Sequence, residues 1–283
     1  MRSGPGAKPY DARMTAISDR LRLTVLGCST AVPDPGSPAA GYLVEWEDTA
    51  ILLDVGQGVI RRLERLLDPR RLDGIVVGHM HADHYLDLAG LRYLFSWADL
   101  ADPRLPVHLP PGGMDRLETL SEAISERPGF FDVAFAVDEY DPDLPLTIGP
   151  LTLRFQQARH YVPAWGVAIE APDGARLVYT GDTGPSDPMI EFSCRADLLL
   201  VEAALRDASD DDPNRGHLTV DEAIDLARRA EATAALLVHY APDRRAEIEA
   251  ACDAAGAWIR PAIAGLTRTV SPRVRVGRPD PSL

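Results

Sequence analysis

Residues 79–84 read HMHADH, an H-x-H-x-D-H pattern that packs four candidate metal ligands, His79, His81, Asp83 and His84, into one short turn. The run LDGIVVG at residues 72–78 has the composition of a buried strand, and residues 85–100 carry apolar side chains at helical spacing. The ligands therefore stand where a strand ends and a helix begins, where α/β proteins build their sites. Imidazoles with a carboxylate suit Zn²⁺, Mn²⁺ or Fe²⁺. A polar loop that happens to be rich in histidine would spell the same letters. It would not be accompanied by further candidate ligands at the ends of further strands, and this chain supplies them in order.

Asp54 closes the apolar run ILL at residues 51–53, and His160 follows the alternating stretch LTLRFQQAR at 151–159. Asp182 sits in LVYTGDTG at 177–184, and His239 follows ALLV at 235–238. With this set in this order, the chain resembles the metallo-β-lactamase superfamily from about Leu21 to Thr269. The resemblance implies an α/β fold, a four-layer αββα sandwich whose ligands come from loops at one edge. It implies that His79, His81 and His160 hold one divalent metal, that Asp83, His84 and His239 hold a second, and that Asp182 bridges the two. Asp54 then orients a ligand histidine from behind. A bridging carboxylate makes physical sense, because its two oxygens partly neutralise a pair of cations. A metal pair can clamp both the attacking and the leaving oxygen of a displacement. Two divalent ions are expected, Zn²⁺ first and Mn²⁺ as the alternative.

The chain has seven histidines, and this scheme leaves His108 and His217. His108, in the run LPVHLPP at 105–111, reads as structural. His217 precedes TVDE at 219–222, a capping box in which Thr219 and Glu222 satisfy each other's backbone. Taken alone, Glu202 ends a strand and His217 precedes a helix. The same stretch is similar to the ribonuclease Z and cyclic-phosphodiesterase branch, which implies that His217, paired with Glu202, protonates the leaving oxygen. A neighbouring carboxylate would raise the histidine pKa and keep that proton in place. Asp83 joins this catalytic group by positioning the attacking water beside Asp182.

The substrate class turns on charge and spacing. The net charge of −14 works against a polyanion such as tRNA, whose affinity rests on phosphate contacts to a basic track. Between His160 and Asp182 the sequence leaves room only for a hairpin, with strands at 166–170 and 176–180 and a turn at 171–175. Bacterial ribonuclease Z carries a tRNA-binding arm at that place. The chain also resembles the short actinobacterial-type atypical cyclic-nucleotide phosphodiesterases, in LTVLGCS at 23–29 and SPAAGYL at 37–43. The expected activity is therefore hydrolysis of a small cyclic phosphodiester such as 3′,5′-cAMP. A tRNA 3′-processing endonuclease is the first alternative and a thioesterase-type metallo-hydrolase the second. The secreted lactamases fit less well, since they lack the Glu202–His217 pair.

The expected organisation is a flexible extension over residues 1–20, one hydrolase domain over 21–270 and a tail over 271–283. Cys28, Cys194 and Cys252 are too widely spaced for a disulfide framework, and no export signal or apolar span is evident, so a cytoplasmic protein with no membrane partner is expected. The resemblance implies a homodimer. The region 96–149 is the least legible. It holds a helical pattern at 115–125 and a loop with Phe130 and Phe131, read as packing against the core ahead of stacking on a base. Arg159, Tyr161 and Trp165 flank His160 with no role fixed.

Overall fold

Strict alternation decides the layers. In β1 (Leu21–Gly27), β2 (Gly41–Trp46) and β3 (Thr49–Leu53), successive side chains point to opposite faces. Leu23, Val25, Tyr42, Val44, Ile51 and Leu53 enter one buried cluster, while Leu26, Leu43 and Leu52 enter another. A computed structural model describes residues 19–32, 34–95, 104–126 and 128–273. Most of the extension and tail expected at the ends lies outside the described residues, as do residues 96–103 and 127.

The first sheet continues through β4 (Gly74–Val76), β5 (Leu105–Leu109) and β6 (Phe135–Glu139). The second sheet holds β7 (Leu146–Ile148), β8 (Leu151–Gln157), β9 (Trp165–Glu170), β10 (Arg176–Tyr179), β11 (Leu198–Glu202), β12 (Ala235–Val238) and β13 (Ile259–Pro261). A final strand, β14 (Thr267–Val270), returns to pair antiparallel with β1. Among the described residues each sheet thus has seven strands, in the orders β14-β1-β2-β3-β4-β5-β6 and β13-β12-β11-β10-β9-β8-β7. The runs β3 to β6 and β10 to β13 are parallel. The inner strands β4, β11 and β12 are buried along their whole length, so they read as continuous apolar runs such as LLLV in β11.

Helices cover the two outer faces. On the first sheet lie α1 (Val59–Leu63), α2 (Ala82–Tyr85), α3 (Leu88–Leu91) and α4 (Gly113–Ile124). Val59, Leu63, Leu88, Leu91 and Leu117 from this group join the cluster that also takes Leu52 and Ile75. On the second sheet lie α5 (Asp187–Ser193), α6 (Val220–Arg229) and α7 (Arg245–Ala255). Val220, Ala223, Ile224 and Ala227 put one stripe of α6 onto Leu199, Val201 and Leu237. The result is the expected four-layer αββα sandwich. The capping box forms as the sequence reads: Thr219 Oγ1 accepts from the Glu222 amide and Glu222 Oε2 accepts from the Thr219 amide. Among the described residues, no helix is long and apolar enough to cross a membrane.

One element departs from expectation. The helix expected over 85–100 is broken into α2, α3 and a 3₁₀ turn at Arg92–Leu94 in its described part. The cause is tertiary. The Asp87 amide donates to Val55 O at 3.0 Å instead of completing a helical bond to residue 83. Its carboxylate meanwhile accepts from the Ile60 amide at 2.9 Å, capping α1. Phe130 and Phe131 are buried in the cluster beneath the first sheet's helices, where their rings meet edge to face, so they pack the core.

Candidate metal centre

Each candidate ligand, and Glu202, stands at or just beyond the carboxyl end of a strand, while His217 precedes α6. Asp54 follows β3, the turn at 79–84 follows β4, and His160 comes soon after β8. Asp182 follows β10, Glu202 ends β11 and His239 follows β12. The parallel runs align these ends, so loops remote in sequence meet at one edge. Asp54 and His239 leave their strands with positive φ, 55° and 52°. Non-glycine residues adopt that region at a cost, and such strain collects at functional sites.

Two groups of donor atoms converge there. In the first, His81 Nδ1 lies 3.1 Å from His79 Nε2 and 3.0 Å from His160 Nε2. Asp182 Oδ2 approaches His79 Nε2 at 3.6 Å. In the second, Asp83 Oδ2 lies 3.5 Å from His84 Nε2 and 3.2 Å from His239 Nε2. Asp182 Oδ2 also faces this group, 3.4 Å from His84 Nε2 and 3.5 Å from His239 Nε2. One carboxylate therefore stands between the two sets, as a bridging ligand must.

The donor atoms fit cations. His84 Nε2 and Asp182 Oδ1 are buried with no hydrogen-bond partner. Leaving such atoms unpaired is costly, and metal coordination satisfies lone pairs that no proton donor reaches. Burial lowers the pKa of His79 and His81, and that of His160 to about 4, which keeps these imidazoles neutral with lone pairs available. Burial alone would raise Asp83 and Asp182, but the facing histidines outweigh it and hold both carboxylates ionised. Burial would likewise depress His84, but Asp182 and Asp54 override it and raise its pKa.

A buried frame orients the candidate ligands. Asp54 Oδ2 lies 2.7 Å from His84 Nδ1 and accepts from the Tyr179 hydroxyl at 2.8 Å, while Oδ1 accepts from the Gly78 amide at 2.8 Å. The bond to Nδ1 leaves Nε2 of His84 to face the centre. His160 Nδ1 is 2.8 Å from Gly216 O, which does the same for that ring.

The Glu202–His217 pair stands beside the two groups. His217 Nδ1 is 2.9 Å from Glu202 Oε1, and the ring centroid is 4.9 Å from His160 and 5.5 Å from His239. Glu202 also accepts from the amides of Thr183 and Ala204 at 3.0 and 2.9 Å. Burial pulls His217 down, but the hydrogen bond and charge of Glu202 outweigh it and raise its pKa to about 9. His217 also lies within ligand reach of Asp182 and His239, so spacing alone would admit it as a ligand. Its Nδ1 is taken by Glu202, which leaves only Nε2 for the cleft.

The remaining candidates fall elsewhere. His108 pairs with Asp138 at 2.6 Å on β5 and β6, apart from the cluster. Trp165 is buried in the core between the sheets, and Arg159 is exposed, donating to Pro185 O at 3.3 Å. Sequence reasoning missed Tyr179, whose hydroxyl supports Asp54. It also missed Arg244, whose buried guanidinium donates to Ala203 O and Ala204 O at 3.0 and 2.9 Å and braces the turn after Glu202. The hairpin of β9 and β10 closes through Ala171 and Ala175, so no arm separates His160 from Asp182.

A four-layer sandwich with clustered histidines and carboxylates at one edge defines a metallo-hydrolase. Residues 49–240 match the family described as Beta-lactamase superfamily domain, and the chain belongs to that family. "Uncharacterized protein ML1173" of Mycobacterium leprae is 38% identical over 228 residues, covering 78% of each chain. "Probable metallo-hydrolase YhfI" of Bacillus subtilis is 30% identical over 223 residues, covering 77% of this chain and 86% of that one. The crystal structure of YhfI superposes with a TM-score of 0.77 at 25% identity, over 89% of this chain and 100% of that chain. A ribonuclease Z of Haloferax volcanii is 27% identical over 275 residues, covering 79% of this chain and 86% of the relative. The chain is thus a metal-dependent hydrolase.

Proposed function

We propose that this chain is a phosphodiesterase acting on a small cyclic phosphodiester, most plainly a cyclic nucleotide such as 3′,5′-cAMP. The observation that carries the reading is the Glu202–His217 pair, held 2.9 Å apart beside both donor groups. A phosphodiester has a poor leaving oxygen, and a positioned acid is what it needs. His79, His81 and His160 would hold one cation, Asp83, His84 and His239 a second, with Asp182 between. When bound, a cation pair neutralises charge on the phosphoryl oxygens and lowers the pKa of water. Asp83 orients the attacking water. The water gives up one proton to solvent, a bond forms from its oxygen to phosphorus, and the bond from phosphorus to the ring oxygen breaks. His217, with Nδ1 donating to Glu202, delivers its Nε2 proton to the departing oxygen, which stays tethered in the product.

The tight hairpin between His160 and Asp182 supports a small substrate. So does the loop that leads to His217, where Asp207, Asp210, Asp211 and Asp212 would repel a polyanion. Relatives named ribonuclease Z make RNA the competing substrate. In this reading the hydrolase domain spans residues 21–270. The test is turnover of the Zn²⁺- or Mn²⁺-loaded protein on 3′,5′-cAMP, a 2′,3′-cyclic nucleotide, bis(p-nitrophenyl) phosphate, a thioester and a pre-tRNA with a 3′ trailer. Cyclic-nucleotide hydrolysis with the tRNA untouched is expected. Cleavage of the trailer, or of the thioester alone, overturns the reading.

A further inference from the structure

The loop that carries His217 and the loop that carries His160 are tied together at the surface. The Tyr161 hydroxyl donates to Asp211 Oδ1. The other oxygen of Asp211 accepts from the Gly216 amide at 3.1 Å. On the far side of the same residue, Gly216 O is 2.8 Å from His160 Nδ1. A continuous chain of hydrogen bonds therefore runs from Tyr161 through Asp211 and Gly216 back to His160, the neighbour of Tyr161. His217 follows Gly216 directly.

The contact at Gly216 is close. A Cβ there would stand 2.6 Å from Tyr161 Cε2 and 2.9 Å from His160 Nδ1, so the two loops touch only because residue 216 has no side chain. The Tyr161 ring lies 5.0 Å from the His160 ring and 5.7 Å from the His217 ring. Tyr161 is 48% exposed, so apolar burial does not account for where it sits. Asp211 is flanked in sequence by Asp210 and Asp212, and like charges would push it outward. The donors from Tyr161 and Gly216 hold it inward.

We propose that Tyr161 and Asp211 are positioning residues that clasp the two loops and so set His160 and His217 together. The clasp rests on the reading of His160 as a ligand and His217 as proton donor. It acts on His160 by fixing the carbonyl of Gly216 under Nδ1, which turns Nε2 toward His81 Nδ1, 3.0 Å away. It acts on His217 by fixing the residue before it. One surface hydrogen bond then influences metal affinity and proton delivery at once.

The experiment measures Zn²⁺ affinity by chelator competition, and kcat and KM on bis(p-nitrophenyl) phosphate. The variants are Tyr161→Phe, Asp211→Ala and the double substitution. Groups that orient metal ligands typically change affinity or activity about 10- to 100-fold when removed. Each single variant is expected to weaken Zn²⁺ binding about tenfold and to lower kcat with KM within about twofold. The double variant should be no worse than Asp211→Ala, because Tyr161→Phe removes a bond that Asp211→Ala has already removed. Losses that multiply, or Zn²⁺ binding and kcat that stay at the parent values, overturn the clasp. A lowered melting temperature with unchanged Zn²⁺ affinity and kcat makes the pair a stability contact only, and also overturns it. Should the parent protein hydrolyse no phosphodiester while the Zn²⁺ pattern holds, the clasp stands for His160, and the phosphodiesterase reading falls together with the role of His217 as its proton donor.

Discussion

His217 donates from Nδ1 to Glu202 across 2.9 Å, and Glu202 is fully buried. A buried carboxylate needs partners, and Glu202 has three: this ring and the amides of Thr183 and Ala204. Its two amide bonds fix the carboxylate, and the carboxylate then fixes one tautomer of the ring. Nε2 is left facing the histidine cluster.

His217→Ala should therefore lower kcat by about a hundredfold or more, the usual contribution of a positioned acid, while metal content stays at the parent level. Asp182→Ala should lose metal as well as activity, because its carboxylate faces both donor groups. Elemental analysis alongside turnover separates the two. A His217→Ala protein with parental kcat would remove the acid assignment.

The pH dependence follows from the same pair. The unfolded histidine titrates near about 6.5, and the folded group is raised to about 9 by Glu202. The proton is bound more tightly in the folded state, so the stabilisation is fully present below about 6.5 and lost as pH rises through about 9. Cation charge at the adjacent donor groups would push the group back down, so the alkaline limb of kcat/KM is expected between these values. Glu202→Gln should move that limb to lower pH. A limb that stays in place in Glu202→Gln would mean that another group carries the proton.

Asp54 accepts three donors, from Gly78, His84 and Tyr179, within 2.8 Å. Tyr179→Phe removes one of them without changing the packing of the ring. It should cost about 1 kcal/mol of stability, the net worth of a typical hydrogen bond. Asp54→Ala frees the His84 ring and should weaken metal binding about 10- to 100-fold. Chelator competition and thermal melts measure the two effects independently. Unchanged metal affinity in Asp54→Ala would show that His84 is held by packing alone.

The histidine cluster was legible because the candidate ligands are chemically unusual residues at the ends of apolar runs. The four layers were legible only through the resemblance that those residues carry in their order; the alternation that sorts β1 to β3 into faces emerges from the structure. Tyr179 was not legible, since nothing in the run LVYT distinguishes a hydroxyl that meets Asp54 from an ordinary buried ring. Asp211 is one aspartate among several, selected only by the approach of Tyr161 from another loop. The helix expected over 85–100 failed for the same reason: Asp87 bonds to Val55 and Ile60, contacts that no periodicity reports.

Gly56 lies against the carbonyl of Asp83, and a Cβ added there would stand 1.9 Å from Asp83 O. The neighbouring peptide is locked too, since the Val55 amide donates to His84 O at 2.7 Å. Neither the segment after β3 nor α2 can move away without dragging Asp54 off His84, so the clash cannot relax cheaply. Overpacking of this kind costs about 1–3 kcal/mol. For a chain of this size that is a fall in melting temperature of roughly 2–4 °C for each kcal/mol. Gly56→Ala should also bind metal more weakly at temperatures where it remains folded, because the displaced atoms belong to the turn that carries Asp83 and His84. A Gly56→Ala protein that melts and binds metal like the parent would show that the turn shifts freely, and the rigid seating of the ligands argued from Asp54 would fall with it.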